Sequence, residues 1–225
     1  MAIPCYAPHF KYLEPLLNSL ERQTHLPDEV VISISQIEQL TPSDVERLEC
    51  HPYPFRLCLL KHVGRRTAGA NRSIAAQACS GDVISCMDAD DCIHPQRLEA
   101  LHRVFCSMPA ANIVWTGHAY RPGYSVLCHP AIPWYQDEEY QHLRFPLQSM
   151  NVTPVGVPEL RDWASGLHNG TPTLRRWIVS RIPLWGDHKY DEDIEFNTRV
   201  LQAFGGGYLI RLPLLHYYNL LGSHL

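Results

Sequence analysis

The stretch GRRTAGANRSIAAQACSGDVISCMDADD, residues 64–91, decides the fold class of this chain. Its first half is rich in alanine and is predicted to form a helix that ends at Ser80-Gly81. The apolar run at 82–88 is predicted to be a strand, and it leads directly into three aspartates, Asp88, Asp90 and Asp91. A helix followed by a strand with acidic side chains at its end is one unit of an α/β fold.

The residues before and after this stretch repeat the same alternation. The further elements predicted in the first half are strands at 2–6, 29–35 and 54–63 and helices at 13–20, 43–48 and 95–105. Strands alternating with helices predict a mostly parallel sheet with helices on its faces. Ligands of such sheets bind beyond the carboxyl ends of the strands, where the aspartates are expected.

The second half of the chain has a different pattern. Residues 112–120 and 208–218 are predicted strands, and residues 173–182 and 191–204 are predicted helices. The stretch 121–172 is rich in proline, aromatic residues and histidine and shows little periodicity, so we expect irregular loops there. Because no internal repeat or low-complexity linker interrupts the chain, we predict one domain over residues 1–225.

Composition narrows the classes of partner. The net charge of −4 gives no electrostatic reason to expect nucleic acid or an anionic membrane as a partner. No run of about 18 apolar residues is present, and the N-terminus lacks the pattern of a signal peptide. The 8 cysteines form no CxxC pair. We expect them to be reduced, mostly buried thiols of a cytoplasmic protein without a transmembrane segment.

The aspartate cluster is the first candidate for chemistry. In an extended segment, Asp88 and Asp90 point to the same side, while Asp91 turns into the following loop. Two carboxylates suit Mg²⁺ or Mn²⁺, and such ions are often shared with substrate phosphates. The residues alone leave a second interpretation open, a solvated acidic turn before a helix that begins near Pro95.

Three blocks together resemble the family-2-like glycosyltransferases of GT-A fold. They are IPCYAPHFKYLEPLLNSLERQT (3–24), the stretch 64–91 quoted above and YDEDIEFNTRVLQAFGGG (190–207). The resemblance covers most of the chain outside 121–165. It implies a GT-A, Rossmann-like α/β fold with a nucleotide-sugar-binding half, 1–110, and an irregular half, 111–225, that binds the acceptor and carries the catalytic base.

The resemblance also implies a donor site. Its nucleotide-sugar-binding residues would be Pro4, Tyr6, Ser33, Arg66, Asn71, Arg72, Asp88, Ala89 and Asp90. Asp90 would be the first ligand of a Mn²⁺ or Mg²⁺ ion, and Asp88 would contact the ribose or the metal. Guanidinium groups suit diphosphate oxygens, although solvated surface arginines are the alternative for Arg66 and its neighbour Arg65.

Asp193 is the residue that matches the family's catalytic base. In inverting members the Asp of the Glu-Asp pair, here Glu192-Asp193, removes a proton from the acceptor hydroxyl. Without the resemblance, acidic residues at a helix start need no further explanation than the helix dipole. The acceptor would meet Glu192 together with three residues in the irregular half, Trp163, His168 and Asn169. The segment 133–141 would be a lid.

The chain departs from the family pattern at two places. The acidic stretch that normally follows the second strand is replaced by SISQ (33–36), so a Ser33 or Ser35 hydroxyl would have to contact the base. UDP-sugar therefore stays the expected donor only by analogy. Leu221 stands where many members have a histidine, and His216 or His224 would have to complete the metal shell, unless both are ordinary core or surface histidines.

The sequence therefore predicts an inverting, divalent-metal-dependent glycosyltransferase that moves a sugar from a nucleotide-diphosphate sugar to a hydroxyl of a glycan or other acceptor. A sugar-1-phosphate nucleotidyltransferase is an alternative, but it would need a glycine-rich basic loop after the first strand, and PCYAPHFKYLE (4–14) contains no glycine. A non-catalytic nucleotide-sugar-binding or glycan-binding module is the third interpretation.

Overall fold

The computed structural model describes residues 1–120, 141–161, 172–186 and 192–217. Several predicted positions lie outside the described residues, namely Trp163, His168, Asn169, His224 and most of the segment 133–141. The predictions made for them stay predictions.

The first sheet contains three parallel strands. β1 (Ala2–Tyr6), β2 (Glu29–Ser35) and β3 (Arg56–His62) pair in chain order. Helices α1 (Leu13–Glu21) and α2 (Pro42–Cys50) make the crossovers, as the leucine spacing of α1 predicts. Every residue of β2 is buried, which is typical of a central parallel strand covered on both faces.

The second sheet is mixed. Its strands are β4 (Val83–Ser85), β5 (Cys92–Ile93), β6 (Ile113–Tyr120), β7 (Val152–Val155), β8 (Thr173–Arg175) and β9 (Gly207–Tyr217). They run in the order β4-β8-β6-β9-β5, with β7 added to β9, and among these described strands only β6 and β9 pair in parallel. The α/β class is confirmed, and the parallel pairing that the sequence predicts is concentrated in the first sheet.

Helices cover the sheets. α3 (Ala68–Ala78) precedes β4, α4 (Arg97–Ser107) follows β5, and α5 (Val157–Arg161) and α6 (Glu192–Phe204) belong to the second half. One apolar cluster joins α1 and α4 to the strands, and a second joins α3 and α6 to them. None of the described helices is long and apolar enough to cross a membrane.

Two local predictions need correction. The helix predicted at 173–182 is wrong, because residues 173–175 form β8 and only Arg176–Ser180 turn, as a short 3-10 helix. β8 pairs with β4 on one side and β6 on the other, and burial of Leu174 between them outweighs the local helical spacing. The strand predicted at 82–88 is shorter, since regular pairing ends at Ser85 and Cys86 makes only an isolated bridge to Ala2.

The described cysteines are all free thiols in the structure. Cys5, Cys79 and Cys86 are buried, whereas Cys50 and Cys106 are exposed. Fewer than half of the described thiols are buried, so the expectation that most are buried is not met among them.

Candidate active site

Three chain segments meet at the end of β4: the start of α3, the aspartate turn and the start of α6. Arg72 connects them. Its Nη2 donates to Oδ1 of Asp88 at 2.8 Å, and its Nη1 donates to Oε1 of Glu192 at 3.2 Å. Asp88 is 16 residues from Arg72 and Glu192 is 120 residues from it, so this buried arginine brings two distant motifs to one place.

Close packing around α3 makes this meeting possible. A Cβ atom on Gly69 would stand 2.4 Å from the carbonyl oxygen of Gly186 and 2.9 Å from Cγ of Glu192. Only glycine fits at such a separation. One turn later, Ser73 Oγ donates to the carbonyl oxygen of Trp185 at 3.1 Å. The start of α3 is thereby fixed against the segment that leads to α6.

Trp185 completes this junction. Its ring lies 3.9 Å, centre to centre, from the ring of Phe196 on α6. The guanidinium carbon of Arg72 lies 5.7 Å from the centre of the same Trp185 ring, within the range of a cation–π contact. Trp185 could not be identified from the sequence, because an isolated tryptophan in a loop carries no periodic signal.

Asp90 lies on the other side of the aspartate turn. Its side chain is 18% exposed, and its Oδ2 is 3.7 Å from Nδ1 of His9, in the 3-10 turn after β1. Burial, with the nearby Asp88 adding to it, raises the pKa of Asp90 to about 7. A carboxylate that is costly to ionise without a counter-charge is a suitable ligand for a cation.

His9 is a second residue that sequence reasoning missed. Its ring lies 4.3 Å from the ring of Tyr6 and 5.5 Å from that of Tyr12. Tyr6 was predicted to bind donor, and burial together with the charge of Asp90 raises the pKa of its phenol. The position of His9 in the first family block was the available signal, but no pattern distinguished it from the other histidines.

Asp193 lies in the first turn of α6. Its Oδ1 accepts a hydrogen bond from the amide of Ile194 at 2.9 Å. Burial raises the pKa of Asp193 to about 7, the guanidinium of Arg72 opposes this rise, and Glu192 and Asp88 add to it. A carboxylate with a pKa close to the working pH is what a general base requires.

Ser33 and Asn71 lie in a buried hydrogen-bond network. Ser33 Oγ donates to Oδ1 of Asn71 at 3.1 Å, and Nδ2 of Asn71 donates to the Cys5 carbonyl at 2.8 Å and to Ser35 Oγ at 3.0 Å. Ser33 is 0% and Asn71 2% exposed. Their contacts join β1, β2 and α3, so their side chains are engaged in positioning these elements beneath the site.

The other predicted donor residues occupy varied positions. Pro4 and Ala89 are buried, and Arg66 is exposed in the loop after β3. Burial lowers the pKa of His62, and the charge of Arg66 lowers it further. His216 is buried on β9 opposite Cys92 of β5. The structure thus brings Asp88, Asp90, Arg72, Glu192 and Asp193 together and places His216 one strand away from the aspartate turn.

The side chains at the site offer few preformed metal ligands. Within the part of the chain that the structure describes, no three His, Cys, Asp or Glu side chains are arranged to hold a metal ion. The donor atoms that are available around Asp90 are carboxylate oxygens and the His9 imidazole, a set that suits a hard or borderline divalent cation. The residues therefore fit a cation that receives further ligands from a bound substrate.

One protein-family model matches the larger part of the chain. The profile described as "Glycosyl transferase family 2" matches residues 1–154. A comparison with curated proteins found no matching sequence.

The chain is also similar to solved structures. TarS residues 1–349 from S. aureus aligns with TM-score 0.68 and 16% identity over 96% of this chain and 60% of that one. The same TarS fragment in complex with UDP-GlcNAc gives TM-score 0.68 and 16% identity over 100% and 60%. The mannosyltransferase PcManGT from Pyrobaculum calidifontis, in complex with GDP-Man and Mn²⁺, gives TM-score 0.64 and 16% identity over 99% and 57%. At this identity the likenesses show a shared fold, and the chain spans only about 60% of the TarS fragment.

Proposed function

Because this chain belongs to glycosyl transferase family 2, we propose that it is an inverting glycosyltransferase that moves a sugar from a nucleotide-diphosphate sugar to an acceptor hydroxyl. The observation that carries the proposal is the pairing of Asp88 and Glu192 with one buried arginine. The family match ends at residue 154, so the role of Asp193 is supported by this geometry and by the resemblance of the 190–207 block.

The donor half of the proposed site lies at the ends of β1 and β4. Tyr6 and His9 border it on one side and Asp88 and Asp90 on the other. Arg66 is exposed in the loop after β3, so its guanidinium would bind a diphosphate without breaking a buried contact. We expect a UDP-sugar or a GDP-sugar, since TarS was solved with UDP-GlcNAc and PcManGT with GDP-Man.

Asp90, with Asp88 beside it, would hold a Mn²⁺ or Mg²⁺ ion. When bound, such a cation neutralises negative charge on a diphosphate leaving group. Asp90 would supply the ligand oxygen, and the cost of burying its carboxylate would be offset by the positive charge. His216 as a further ligand remains a prediction, and Nδ1 of His9 lies 3.7 Å from Oδ2 of Asp90.

Asp193 would act on the acceptor side. Its carboxylate accepts the proton of the attacking hydroxyl, and the oxygen then attacks the anomeric carbon from the face opposite the leaving diphosphate. A single displacement of this kind inverts the anomeric configuration. Glu192 holds Arg72, so the neighbouring Asp193 remains the carboxylate that is available for the proton. Trp163, His168 and Asn169 stay candidates for contacting the acceptor.

A thermal-shift screen tests the proposed function. UDP-glucose, UDP-galactose, UDP-GlcNAc and GDP-mannose would each be added with Mn²⁺, and then with EDTA. Saturation at about 100 times Kd corresponds to about 2.7 kcal/mol of stabilisation, which is readily detected. We expect one donor to stabilise the protein and EDTA to abolish the effect.

Two variants sharpen this screen. Asp90→Asn should lose the metal-dependent part of the shift, whereas Asp82→Asn, an exposed aspartate just before β4, should retain it. The absence of a shift with every nucleotide sugar, with metal and without it, would contradict the proposal.

A further inference from the structure

We infer that Arg72 is a positioning residue: it fixes the aspartate turn and the start of α6 relative to each other, and it does not contact the nucleotide sugar. This inference rests on the proposed function and names a role that the family resemblance does not give. The resemblance predicts a donor contact for Arg72, whereas in the structure its side chain pairs with Asp88 and Glu192.

Burial is the first reason. Arg72 is 3% exposed, in contrast to the exposed Arg65 and Arg66 of the preceding loop. Both terminal nitrogens are engaged by carboxylates, and Nε is buried with no acceptor facing it among the described residues. A diphosphate could reach this guanidinium only by displacing Asp88 or Glu192.

The geometry of the arginine is the second reason. A guanidinium is a planar fork with several fixed donors, so it can bond two carboxylates in different directions at once. The two partners belong to different halves of the chain, Asp88 after β4 and Glu192 at the first residue of α6. The direction in which Asp193 projects is therefore fixed by a contact one residue earlier.

The surrounding packing is the third reason. Gly69, Arg72 and Ser73 are spaced at i, i+3 and i+4, so they lie on one face of α3. Gly69 approaches Gly186 and Glu192, and Ser73 binds the carbonyl oxygen of Trp185. This face of α3 contacts Trp185, Gly186 and Glu192, and Arg72 is its charged member.

The charge of Arg72 has a consequence for Asp193. Three charged groups influence this carboxyl: Arg72 favours its ionised form, while Glu192 and Asp88 disfavour it. Removing the guanidinium leaves the repulsion uncompensated, so Asp193 would take up a proton at higher pH. The shift in the pKa of Asp193 would report the charge of Arg72, separately from the geometry of its two contacts.

Steady-state kinetics of Arg72 variants test the inference. Release of UDP or GDP would be measured with Mn²⁺ and the sugar nucleotide that wild type uses best among UDP-glucose, UDP-galactose, UDP-GlcNAc and GDP-mannose. We expect Arg72→Lys to lower kcat by about 10-fold and Arg72→Met by about 100-fold, because small displacements of reacting groups cost this much. KM for the sugar nucleotide should change by less than about threefold in both variants.

The pH profile is the second readout. The acidic limb of kcat/KM should move to higher pH in Arg72→Met and stay near its wild-type position in Arg72→Lys, which keeps the charge. Arg103→Met is the matched control, because it removes an exposed arginine paired with Glu99 one turn away on α4. It should leave kcat, KM and the limb unchanged.

The possible outcomes separate the two claims. If Arg72→Met does not fold, Arg72→Lys still tests the inference. The lysine keeps the positive charge but lacks the second terminal nitrogen that bonds the other carboxylate. Wild-type kcat in Arg72→Lys, or a defect confined to KM, overturns the inference while leaving the proposed function intact. If wild type releases no nucleotide diphosphate from any of the four sugar nucleotides, the proposed function itself is contradicted.

Discussion

Nδ1 of His9 lies 3.7 Å from Oδ2 of Asp90, so a histidine from the turn after β1 faces the carboxylate that we propose as the first metal ligand. An imidazole near this position favours Mn²⁺ over Mg²⁺, since Mg²⁺ prefers oxygen. The preference of the enzyme for one cation is therefore expected to depend on His9.

The variant His9→Gln tests this relationship. We expect the concentration of Mn²⁺ needed for half-maximal nucleotide-diphosphate release to rise about 10-fold, while the value for Mg²⁺ changes little. His25→Gln is the control, because His25 is exposed and stacks on His102 away from the site. An equal loss with both cations would show that His9 only supports the fold.

Gly69→Ala tests the close approach of α3 to the segment at Gly186. The added Cβ would meet a backbone oxygen at 2.4 Å, so the backbone must shift. We expect a loss of about 1–3 kcal/mol in the free energy of unfolding, measured by urea denaturation. Gly81→Ala is the matched control, because its nearest contact is at 3.6 Å and its backbone has no positive φ. Equal stabilities of the two variants would contradict the packing described for Gly69.

Glu29 provides a prediction about stability and pH. Its side chain is 6% exposed and accepts hydrogen bonds from Ser80, from the Gly81 amide at 2.9 Å and from Arg56. Burial alone would raise the pKa of Glu29, but these hydrogen bonds lower it to about 2.

The sign of the effect follows from the lowered pKa. The unfolded chain binds the proton at about pH 4.3, so the stabilisation is complete above that pH and is lost as the pH falls toward 2. Glu29→Gln should lower the free energy of unfolding by about 1–3 kcal/mol at pH 7 and by progressively less below pH 4. The control Glu49→Gln, at a surface ion pair with Lys61, should cost less than about 1 kcal/mol. If the difference in free energy of unfolding between wild type and Glu29→Gln did not depend on pH, the role assigned to the Glu29 carboxylate would be refuted.

The pH dependence of catalysis should report Asp193. A general base acts when deprotonated, and burial raises the pKa of Asp193 to about 7. The value of kcat/KM should therefore rise with pH and level off above a limb at or below about 7, since a bound cation nearby would lower the pKa. Kinetics from pH 5 to pH 9 at constant ionic strength would show this limb. A rate that falls over this range would exclude a carboxylate base with the assigned pKa.

Local signals predicted most of the elements but not their long-range pairing. The leucine spacing of α1 and the apolar run of β2 are properties of short segments, and both elements are found where they were predicted. Residues 173–175 form a strand because β4 and β6 lie on either side of them, and neither neighbour is adjacent in sequence. For the same reason the mixed pairing of the second sheet could not be read from periodicity.

The candidate site shows the same division. Asp90 and Asp193 could be selected from motifs and helix positions, because acidic clusters at a strand end and a helix start are visible in sequence. The burial of Arg72 could not, since it depends on Glu192, 120 residues away. The contact of His9 with Asp90 likewise follows only from the folded arrangement of β1 and the aspartate turn.

Replacement of Asp193 by asparagine tests the central claim most directly. Asp193→Asn keeps the size of the side chain and removes its ability to accept a proton, and Glu195→Gln, 52% exposed on the same helix, is the control. We predict that Asp193→Asn binds UDP or GDP with Mn²⁺ as wild type does, by thermal shift, while sugar transfer falls by about 10²–10⁴-fold. Transfer by Asp193→Asn at a rate close to that of wild type would contradict the assignment of Asp193 as the base.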